Sequence, residues 1–303
     1  MIIIEEYGII LGHSQYISGI DFSETSSYIV TGSHDGTLII YDIINNKEMN
    51  KLNLSIPIKA LKYSRDGKIL ILTDDNLIHI WDSYTMEKHD EISIFGTKKE
   101  YIKGSITNKY IICADFLKSG RYIVIGCQDK KIYIIPLYEK GVAIPLLQQE
   151  GPIFSVGWIN KRLVYSAAQG ADLISIWDWK KKKIIAQVSN GKSTVSSNGQ
   201  FIATSPSTKK IKIWDSNTGS LKKLLSPRFF RIEVIESMSF HPQKNQLITG
   251  MSLGTIKLWN IDSNKYVSIK KAHNVSINRI KFSYCGKYLA SADRNNLIKL
   301  WKV

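Results

Sequence analysis

The chain has 303 residues, of which 44% are hydrophobic and 10% aromatic, and this composition excludes an intrinsically disordered protein. No apolar run approaches the roughly 20 residues of a membrane helix, and the N-terminus lacks a basic signal-peptide region, so membrane insertion is not expected. The three cysteines, Cys113, Cys127 and Cys285, form no C-x-x-C pair. This favours a reduced intracellular compartment, either cytoplasmic or nuclear.

Positive charge is concentrated in the second half of the chain. Overall, 41 basic side chains face 26 acidic ones, a formal net charge of +15. Residues 1–160 contain 16 basic and 19 acidic side chains, whereas residues 161–303 contain 25 basic and 7 acidic ones. This asymmetry favours an anionic partner for the second half.

A repeat runs through the chain from its first residues to its last. Each unit has an apolar strand ending in an aromatic residue, a polar turn, a second strand, another turn, and a third strand. The third strands end at Tyr41-Asp42, Trp81-Asp82, Ile135-Pro136, Trp177-Asp178, Trp214-Asp215, Trp259-Asn260 and Trp301-Lys302. Short strands separated by regular turns predict an all-β protein without helices, in which each repeat forms one four-stranded sheet.

These repeats resemble the WD-repeat β-propellers over essentially the whole chain. The strongest local matches are Leu11-Gly12-His13, Thr31-Gly32-Ser33-His34-Asp35-Gly36, Ala272-His273 and Ser291-Ala292-Asp293-Arg294-Asn295, together with the four Trp-Asp or Trp-Asn endings. The resemblance implies a seven-bladed propeller of four-stranded antiparallel blades in a single domain, 1–303. The expected blades are 8–50, 51–92, 110–145, 146–188, 189–226, 232–270, and 271–303 completed by 1–7.

Ring closure is expected because the last repeat lacks an outer strand. The apolar run Ile2-Ile3-Ile4 precedes the first repeat and is predicted to supply that strand, which removes two exposed sheet edges. The spacing before the third repeat is 54 residues and predicts an inserted loop at about 96–109. Gly191-Lys192-Ser193-Thr194-Val195 is the least regular inner strand.

The resemblance also implies a buried polar network inside some blades. In the first repeat its members would be His13, Thr31, Asp35 and Tyr41, with Tyr41 in place of tryptophan. In the last repeat they would be His273, Ser291, Asn295 and Trp301, with Asn295 in place of aspartate. A structural role for these histidines is favoured over a catalytic one.

Catalytic and metal-binding patterns are scarce. There is no H-x-x-x-H, C-x-x-C or G-x-S-x-G motif. Residues 186–193 fit a relaxed phosphate-loop pattern but read as strand and turn rather than helix. Asp35, Asp75 and Asp129 occupy equivalent turns, where a structural role is favoured over a carboxylate pair for hydrolysis. We therefore expect no enzyme, no metal site and no cofactor.

A docking surface is implied on the face opposite the Gly-rich first turns. Carried over from the family, its residues start each inner strand or precede the turn aspartate: Tyr16, Ser18, His34, Lys59, Asp74, Tyr110, Gln128, Phe154, Glu236, Ser252, Asn278 and Arg294. Each of these could also be an ordinary loop residue. As a set they favour a non-catalytic scaffold that binds partner proteins, and the lack of extra segments favours a subunit of a larger intracellular complex.

The alternative function is association with RNA or DNA in a ribonucleoprotein or on chromatin. The basic clusters that would contact phosphates are Lys180, Lys181, Lys182, Lys183, Lys209, Lys210, Lys222, Lys223, Arg228, Arg231, Lys270 and Lys271. For any single cluster, a role as a solvated rim is favoured over nucleic-acid contact, and no base-reading or RNA-binding module is present.

Overall fold

The computed structural model describes residues 4–93, 111–137, 144–146, 148–196, 198–206, 210–226 and 233–303. Every regular element in these ranges is a β-strand, and the strands form seven antiparallel four-stranded sheets arranged as the blades of a ring. The expected seven-bladed all-β architecture is confirmed. The inserted loop expected at about 96–109 lies outside the described residues.

The first three blades follow one another along the chain. Blade 1 contains β2 Ile17–Phe22, β3 Tyr28–Ser33, β4 Thr37–Asp42 and β5 Lys47–Asn53. Blade 2 contains β6 Ile58–Tyr63, β7 Lys68–Thr73, β8 Leu77–Asp82 and β9 Lys88–Ser93. Blade 3 contains β10 Ile111–Phe116, β11 Tyr122–Cys127, β12 Ile132–Pro136 and β13 Ile144–Pro145.

The next three blades repeat this order. Blade 4 contains β14 Ile153–Trp158, β15 Leu163–Ala168, β16 Leu173–Asp178 and β17 Lys183–Ser189. Blade 5 contains β18 Lys192–Val195, β19 Phe201–Ser205, β20 Ile211–Asp215 and β21 Leu221–Leu225. Blade 6 contains β22 Ile235–Phe240, β23 Gln246–Met251, β24 Ile256–Asn260 and β25 Lys265–Ile269. All third strands, including that of blade 7, end at the residue pairs that the sequence indicated.

Blade 7 closes the ring by joining the two ends of the chain. Its strands are β26 Ile277–Phe282, β27 Tyr288–Asp293, β28 Ile298–Lys302 and β1 Glu5–Ile10. In the β1–β28 pairing, Glu6 lies opposite Trp301 and Ile10 opposite Ile298. Closure is therefore confirmed. Of the predicted run Ile2-Ile3-Ile4, Ile4 lies just before the strand, and Ile2 and Ile3 lie outside the described residues. The register on β28 places the strand later, so that Ile10 is buried between blades 7 and 1, while Ile4 packs beside the strand.

The hydrophobic core lies between neighbouring blades rather than inside single sheets. One buried cluster joins Ile78 of blade 2 to Phe116 of blade 3, and another joins Ile17 of blade 1 to Leu300 of blade 7. Each sheet buries its faces against the next, as a stacked repeat requires.

The antiparallel order of the strands gives the ring two faces. We call the end at which the first strand of each blade begins the upper face, and the end at which that strand finishes the lower face. The connections between blades and the second turns lie on the upper face, and the first and third turns on the lower face. Gly286, in a first turn, has φ of 73°, and a Cβ there would lie 2.4 Å from Cε1 of His241. Glycine therefore allows two neighbouring lower-face turns to approach closely.

In three blades, the side chain of the fifth residue of the first strand accepts a hydrogen bond from the backbone of a neighbouring blade. Asp21 accepts the amide N–H of Tyr63 at 3.0 Å, and Asp115 accepts that of Trp158 at 3.0 Å. Ser239 accepts the amide N–H of Phe282 at 3.3 Å. These contacts were not predicted from the sequence, although in the three blades concerned the accepting residue directly precedes the aromatic end of the first strand.

Candidate docking surfaces

The buried polar network of blade 7 differs from the expected one in its acid. Nδ1 of His273 lies 2.8 Å from Oδ2 of Asp293, and Nε2 lies 2.7 Å from the hydroxyl of Ser291, which also accepts the Trp301 indole N–H at 2.8 Å. The prediction that Asn295 is the fourth member is wrong. Asn295 is exposed, and the imidazole of His273 is contacted instead by Asp293, two residues earlier in the chain.

Blade 1 contains a shorter version of this network. Nε2 of His13 lies 2.8 Å from the Thr31 hydroxyl, and Nδ1 lies 2.7 Å from the Thr37 hydroxyl, which donates to Asp35 at 2.5 Å. Burial alone would raise the pKa of Asp35, but hydrogen bonds from Thr37 and Ser14 lower it to about 2. Tyr41 does not join the network, because its hydroxyl donates to Asn46 at 2.8 Å instead.

Blade 4 has a glutamine in the position that histidine occupies in blades 1 and 7. The amide of Gln149 donates to the Ser166 hydroxyl at 2.9 Å, and the indole of Trp177 donates to the same hydroxyl at 2.8 Å. The sequence analysis missed Gln149. The available signal was its spacing, since Gln149, His13 and His273 each precede their first strand by four residues.

The structure places the described members of the predicted docking set at one end of the ring, the upper face. Five follow a second strand directly: His34, Asp74, Gln128, Ser252 and Arg294. The others precede a first strand or lie near its beginning: Tyr16, Ser18, Lys59, Phe154, Glu236 and Asn278. Tyr110 lies outside the described residues. Ser18 and Asn278 are buried, and the hydroxyl of Ser18 donates to the carbonyl oxygen of Gly32.

An aromatic and cationic cluster surrounds Tyr16. Its ring meets that of His34 edge to face at 5.2 Å, and the Arg279 guanidinium lies 5.3 Å from the ring centre. Nε and Nη2 of Arg279 donate to the Ser18 carbonyl oxygen at 3.2 and 3.1 Å. Tyr16 is thus held on two sides while 39% of it stays exposed.

Opposite charges are paired across this face. Nζ of Lys59 lies 2.8 Å from Oδ1 of Asp74. Glu236 of blade 6 lies 3.5 Å from the ammonium of Lys192 in blade 5 and 3.7 Å from the guanidinium of Arg294 in blade 7. Both acidic members of the predicted docking set, Asp74 and Glu236, therefore lie beside cations.

Exposed large hydrophobic side chains are more numerous at the upper face than at the lower one in the described ranges. Counting turns, connections and the first or last two residues of a strand, the upper face has Ile9, Leu11, Tyr16, Ile112, Phe154, Leu173, Leu224, Val234 and Leu253, and the lower face has Ile44, Tyr84, Ile184, Leu221 and Tyr266. Ile112 was missed by the sequence analysis, although it occupies the same position in its strand as Phe154. Their neighbouring first strands bring two exposed apolar side chains to one sector.

The basic clusters of the second half do not form one surface. Lys180, Lys181 and Lys182 lie in the third turn of blade 4 on the lower face, where Lys183 begins β17. Lys222 and Lys223 lie on the outer strand of blade 5. Lys210, Lys270 and Lys271 lie on the upper face. Lys209, Arg228 and Arg231 lie outside the described residues. The charge that the sequence concentrates in one arc is therefore divided between two faces.

The residues considered as possible catalytic or phosphate-binding groups have structural roles. Asp75 accepts hydrogen bonds from the Thr73 hydroxyl and the Leu77 amide, and Asp129 accepts them from the Lys131 amide and the Tyr133 hydroxyl. The segment that fitted a phosphate loop ends one strand and begins the next, β17 and β18, without a helix. Over the ranges described, no group of three or more His, Cys, Asp or Glu side chains is placed to hold a metal ion.

Cys113 and Cys285 have free thiols, and Cys127 is buried. A search of the described residues for a helix long and apolar enough to cross a membrane finds none.

Comparison with known proteins identifies the repeat. The profile of the family described as "WD domain, G-beta repeat" matches residues 5–42, 232–260 and 264–302, which include both ends of the closed ring. The chain is 23% identical to transcription initiation factor TFIID subunit 5 of Caenorhabditis elegans over 50% of its own length and 24% of that protein. It is 30% identical to eukaryotic translation initiation factor 3 subunit I of Candida glabrata over 42% of its own length and 39% of that protein.

A third relative matches from end to end. The serine-threonine kinase receptor-associated protein of Dictyostelium discoideum is 24% identical over 96% of this chain and 97% of its own length. By contrast, the match spans well under two thirds of both initiation factors, which are named as subunits of larger assemblies. The seven four-stranded blades closed by the terminal strands, together with the matching repeat profile, support a WD-repeat β-propeller family for this chain.

Proposed function

We propose that this propeller is a non-catalytic scaffold, a subunit of a larger intracellular complex, that binds a segment of a partner protein across its upper face. The observation that carries the proposal is Tyr16, which is fixed between His34 and Arg279 and still offers an exposed ring beside the central channel. Fixed aromatic side chains and arginines supply most of the binding energy at protein interfaces.

The surroundings of Tyr16 support the same proposal. The upper face combines exposed apolar side chains with paired charges, the mixture that a protein interface can bury without leaving isolated ions. A closed ring of stacked sheets orders few groups on binding, which lowers the entropic cost of association. The relatives named as complex subunits are consistent with this role.

The proposal is tested with a triple variant of the upper face, Tyr16→Ala with Phe154→Ala and Arg294→Ala. The matched control alters three exposed lower-face residues, Ile44→Ala with Tyr84→Ala and Lys287→Ala. Tagged wild type and both variants are expressed in cells that encode the protein, and co-purifying proteins are quantified by mass spectrometry after the melting temperatures have been compared.

We expect proteins recovered with the wild type to fall roughly tenfold or more with the upper-face variant, since each anchor contributes about 1–2 kcal/mol. The control should retain them. Equal recovery by all three proteins, or a loss confined to the lower-face variant, would refute the assignment of the docking face.

A second candidate function is association with nucleic acid. Its specific support is the run of four lysines at 180–183. Nζ of Lys180 lies 5.8 Å from the centre of the Trp179 ring. Generic single-stranded RNA is titrated at two salt concentrations into wild type and a variant with all four lysines changed to glutamine. Binding that weakens with salt and with the substitution supports this function, whereas no binding at low salt removes it.

A further inference from the structure

The central channel forms a cavity on the lower-face side of the ring. Its volume is about 620 Å³, and its walls include first-strand or first-turn residues from blades 2 to 7. The first turns of blades 3, 4 and 6 contribute Lys118, Asn160 and Pro242, so the cavity reaches the lower face. This volume lies in the range of pockets that enclose a small molecule. We call it the lower cavity.

The lower cavity is positively charged. Among the residues that the structure describes, one acidic side chain, Asp115, and six cationic ones line it; the cations are Lys62, Arg65, Lys118, Lys161, Arg279 and Lys281. Asp21 and Glu24 add two carboxylates beside the wall. Even with both included, positive groups outnumber negative groups by three.

The carboxylates near the cavity floor, Asp21 and Asp115, already interact with groups of the protein itself. Asp21 is fully buried, with Oδ1 2.6 Å from the ammonium of Lys281 and Oδ2 3.9 Å from that of Lys62. Burial alone would raise the pKa of Asp21, but the two lysines and the Tyr63 amide lower it. One carboxylate therefore serves two ammonium groups, while Asp115 accepts the Trp158 amide hydrogen.

The guanidinium of Arg279 adds a charge without an acidic partner. Its three nitrogens donate to the backbone carbonyl oxygens of Ser18 and Asn278. Within the part of the chain that the structure describes, no ion pair involves Arg279 or Lys161. Because like charges repel strongly where water is scarce, this excess favours an anion in the cavity.

We propose that the lower cavity binds a compact anion carrying several phosphate groups, with Lys62 and Lys281 at its floor and Lys118 and Lys161 at its rim. These four ammonium groups come from blades 2, 7, 3 and 4 and converge on one cavity, so a ligand with phosphates on several sides fits better than a single phosphate. Lysine and arginine form short, strong hydrogen bonds with phosphate oxygens.

The test uses inositol hexakisphosphate as the probe, titrated calorimetrically into the full chain in low-salt buffer without phosphate. The binding variant is Lys62→Gln with Lys161→Gln, which leaves the closer Asp21–Lys281 pair intact. The control is Lys244→Gln with Lys265→Gln, which removes two exposed lower-face lysines that do not line the cavity. The single variant Lys161→Gln changes only an exposed side chain and provides a second measurement if the double variant does not fold.

We expect one probe per chain, a higher melting temperature with the probe, and a Kd raised roughly tenfold or more by the double variant. Lys161→Gln should raise Kd roughly threefold, and the control should stay within about twofold of the wild type. No binding at low salt, or equal weakening by the binding variant and the control, would overturn the proposal.

A parallel titration with a single-stranded oligonucleotide separates a small ligand from nucleic acid as the source of phosphate. If the oligonucleotide binds through Lys62 and Lys161 while the probe does not bind at all, the small-ligand proposal is wrong. Tighter binding of the probe, with the oligonucleotide unaffected by these substitutions, supports it. None of these outcomes depends on the upper-face residues, so the scaffold proposal is tested independently.

Discussion

The two faces of this propeller are built by the same repeat but treat charge in opposite ways. At the upper face, Glu236 and Asp74 lie within ion-pair distance of the cations beside them. Near the lower face, one buried carboxylate, Asp21, is shared by two lysines, and the surrounding cations exceed the acids. Strand pairing fixes the backbone at both faces. Their difference therefore comes from the side chains at strand ends, whose identity the repeat pattern constrains only weakly.

Four predictions test this comparison, and the largest expected effect concerns Asp21. Asp21→Asn should lower the free energy of unfolding by about 3–5 kcal/mol, because Lys281 and Lys62 would lose their shared buried partner. Urea denaturation measures the change. Glu24→Gln is the matched control, since Glu24 also contacts two cations, Arg65 and Lys118, but is 43% exposed. It should cost no more than about 1 kcal/mol, and similar losses for both variants would contradict the contrast.

The second prediction concerns the upper-face end of blade 7. His273→Ala should lower the free energy of unfolding by about 2–3 kcal/mol, because Asp293 and Ser291 would be left buried without the ring that bonds both. His89→Ala, which removes an exposed ring on an outer strand, should change it by less than about 0.5 kcal/mol. If thermal unfolding does not distinguish the two variants, the network does not stabilise ring closure.

The third prediction concerns pH. Burial lowers the pKa of four of the six histidines, His13, His79, His241 and His273, below the ordinary 6.5. Below pH 6.5 the unfolded chain therefore binds more protons than the folded one, and stability falls as pH decreases. The melting temperature should be lower at pH 5.5 than at pH 7.5, and equal values would contradict the prediction.

A histidine variant sharpens that measurement. His241 accepts the amide hydrogens of Gln243 and Lys244 through Nδ1, and asparagine can accept them without titrating. His241→Asn should reduce the difference between the melting temperatures at the two pH values, and an unchanged difference would contradict a contribution from His241.

The smallest expected effect belongs to the upper-face ion pairs. Glu236→Gln should change the free energy of unfolding by less than about 0.5 kcal/mol, because Arg294 is 64% exposed and water screens the pair. Repeating the urea denaturation at high salt should abolish the difference between variant and wild type. A loss as large as that of Asp21→Asn would show that the two faces do not differ as described.

The sequence predicted much of the fold because each repeat contains residues that mark the ends of its strands. Pairs such as Trp177-Asp178 ended the third strands at the correct residue, since indole burial and the following turn are local requirements. The closing strand was predicted from the apolar run Ile2-Ile3-Ile4, whereas the described pairing with β28 is made by the less apolar segment Glu5–Ile10. Asn295 was misassigned for a similar reason, since the position of the His273 ring determines which side chain reaches it.

The candidate sites were less accessible to sequence reasoning. The predicted positions gathered at one face because each follows from its place in a strand, but the contacts of Tyr16 with Arg279 join residues more than 260 positions apart. No motif or local pattern in the sequence predicted the lower cavity. Its cations are spread over five turns and strands, and only closure of the ring brings them together.

The amino-acid sequence by itself determined the number of blades, the ends of their third strands and the face on which each loop lies, because these depend on alternation, turn residues and spacing within single repeats. Only the tertiary structure decided which strand closes the ring, which acid faces His273, and where positive charge is compensated. Those outcomes depend on distances between blades that are remote in sequence, and the charge balance of the central channel is fixed by all of the blades together.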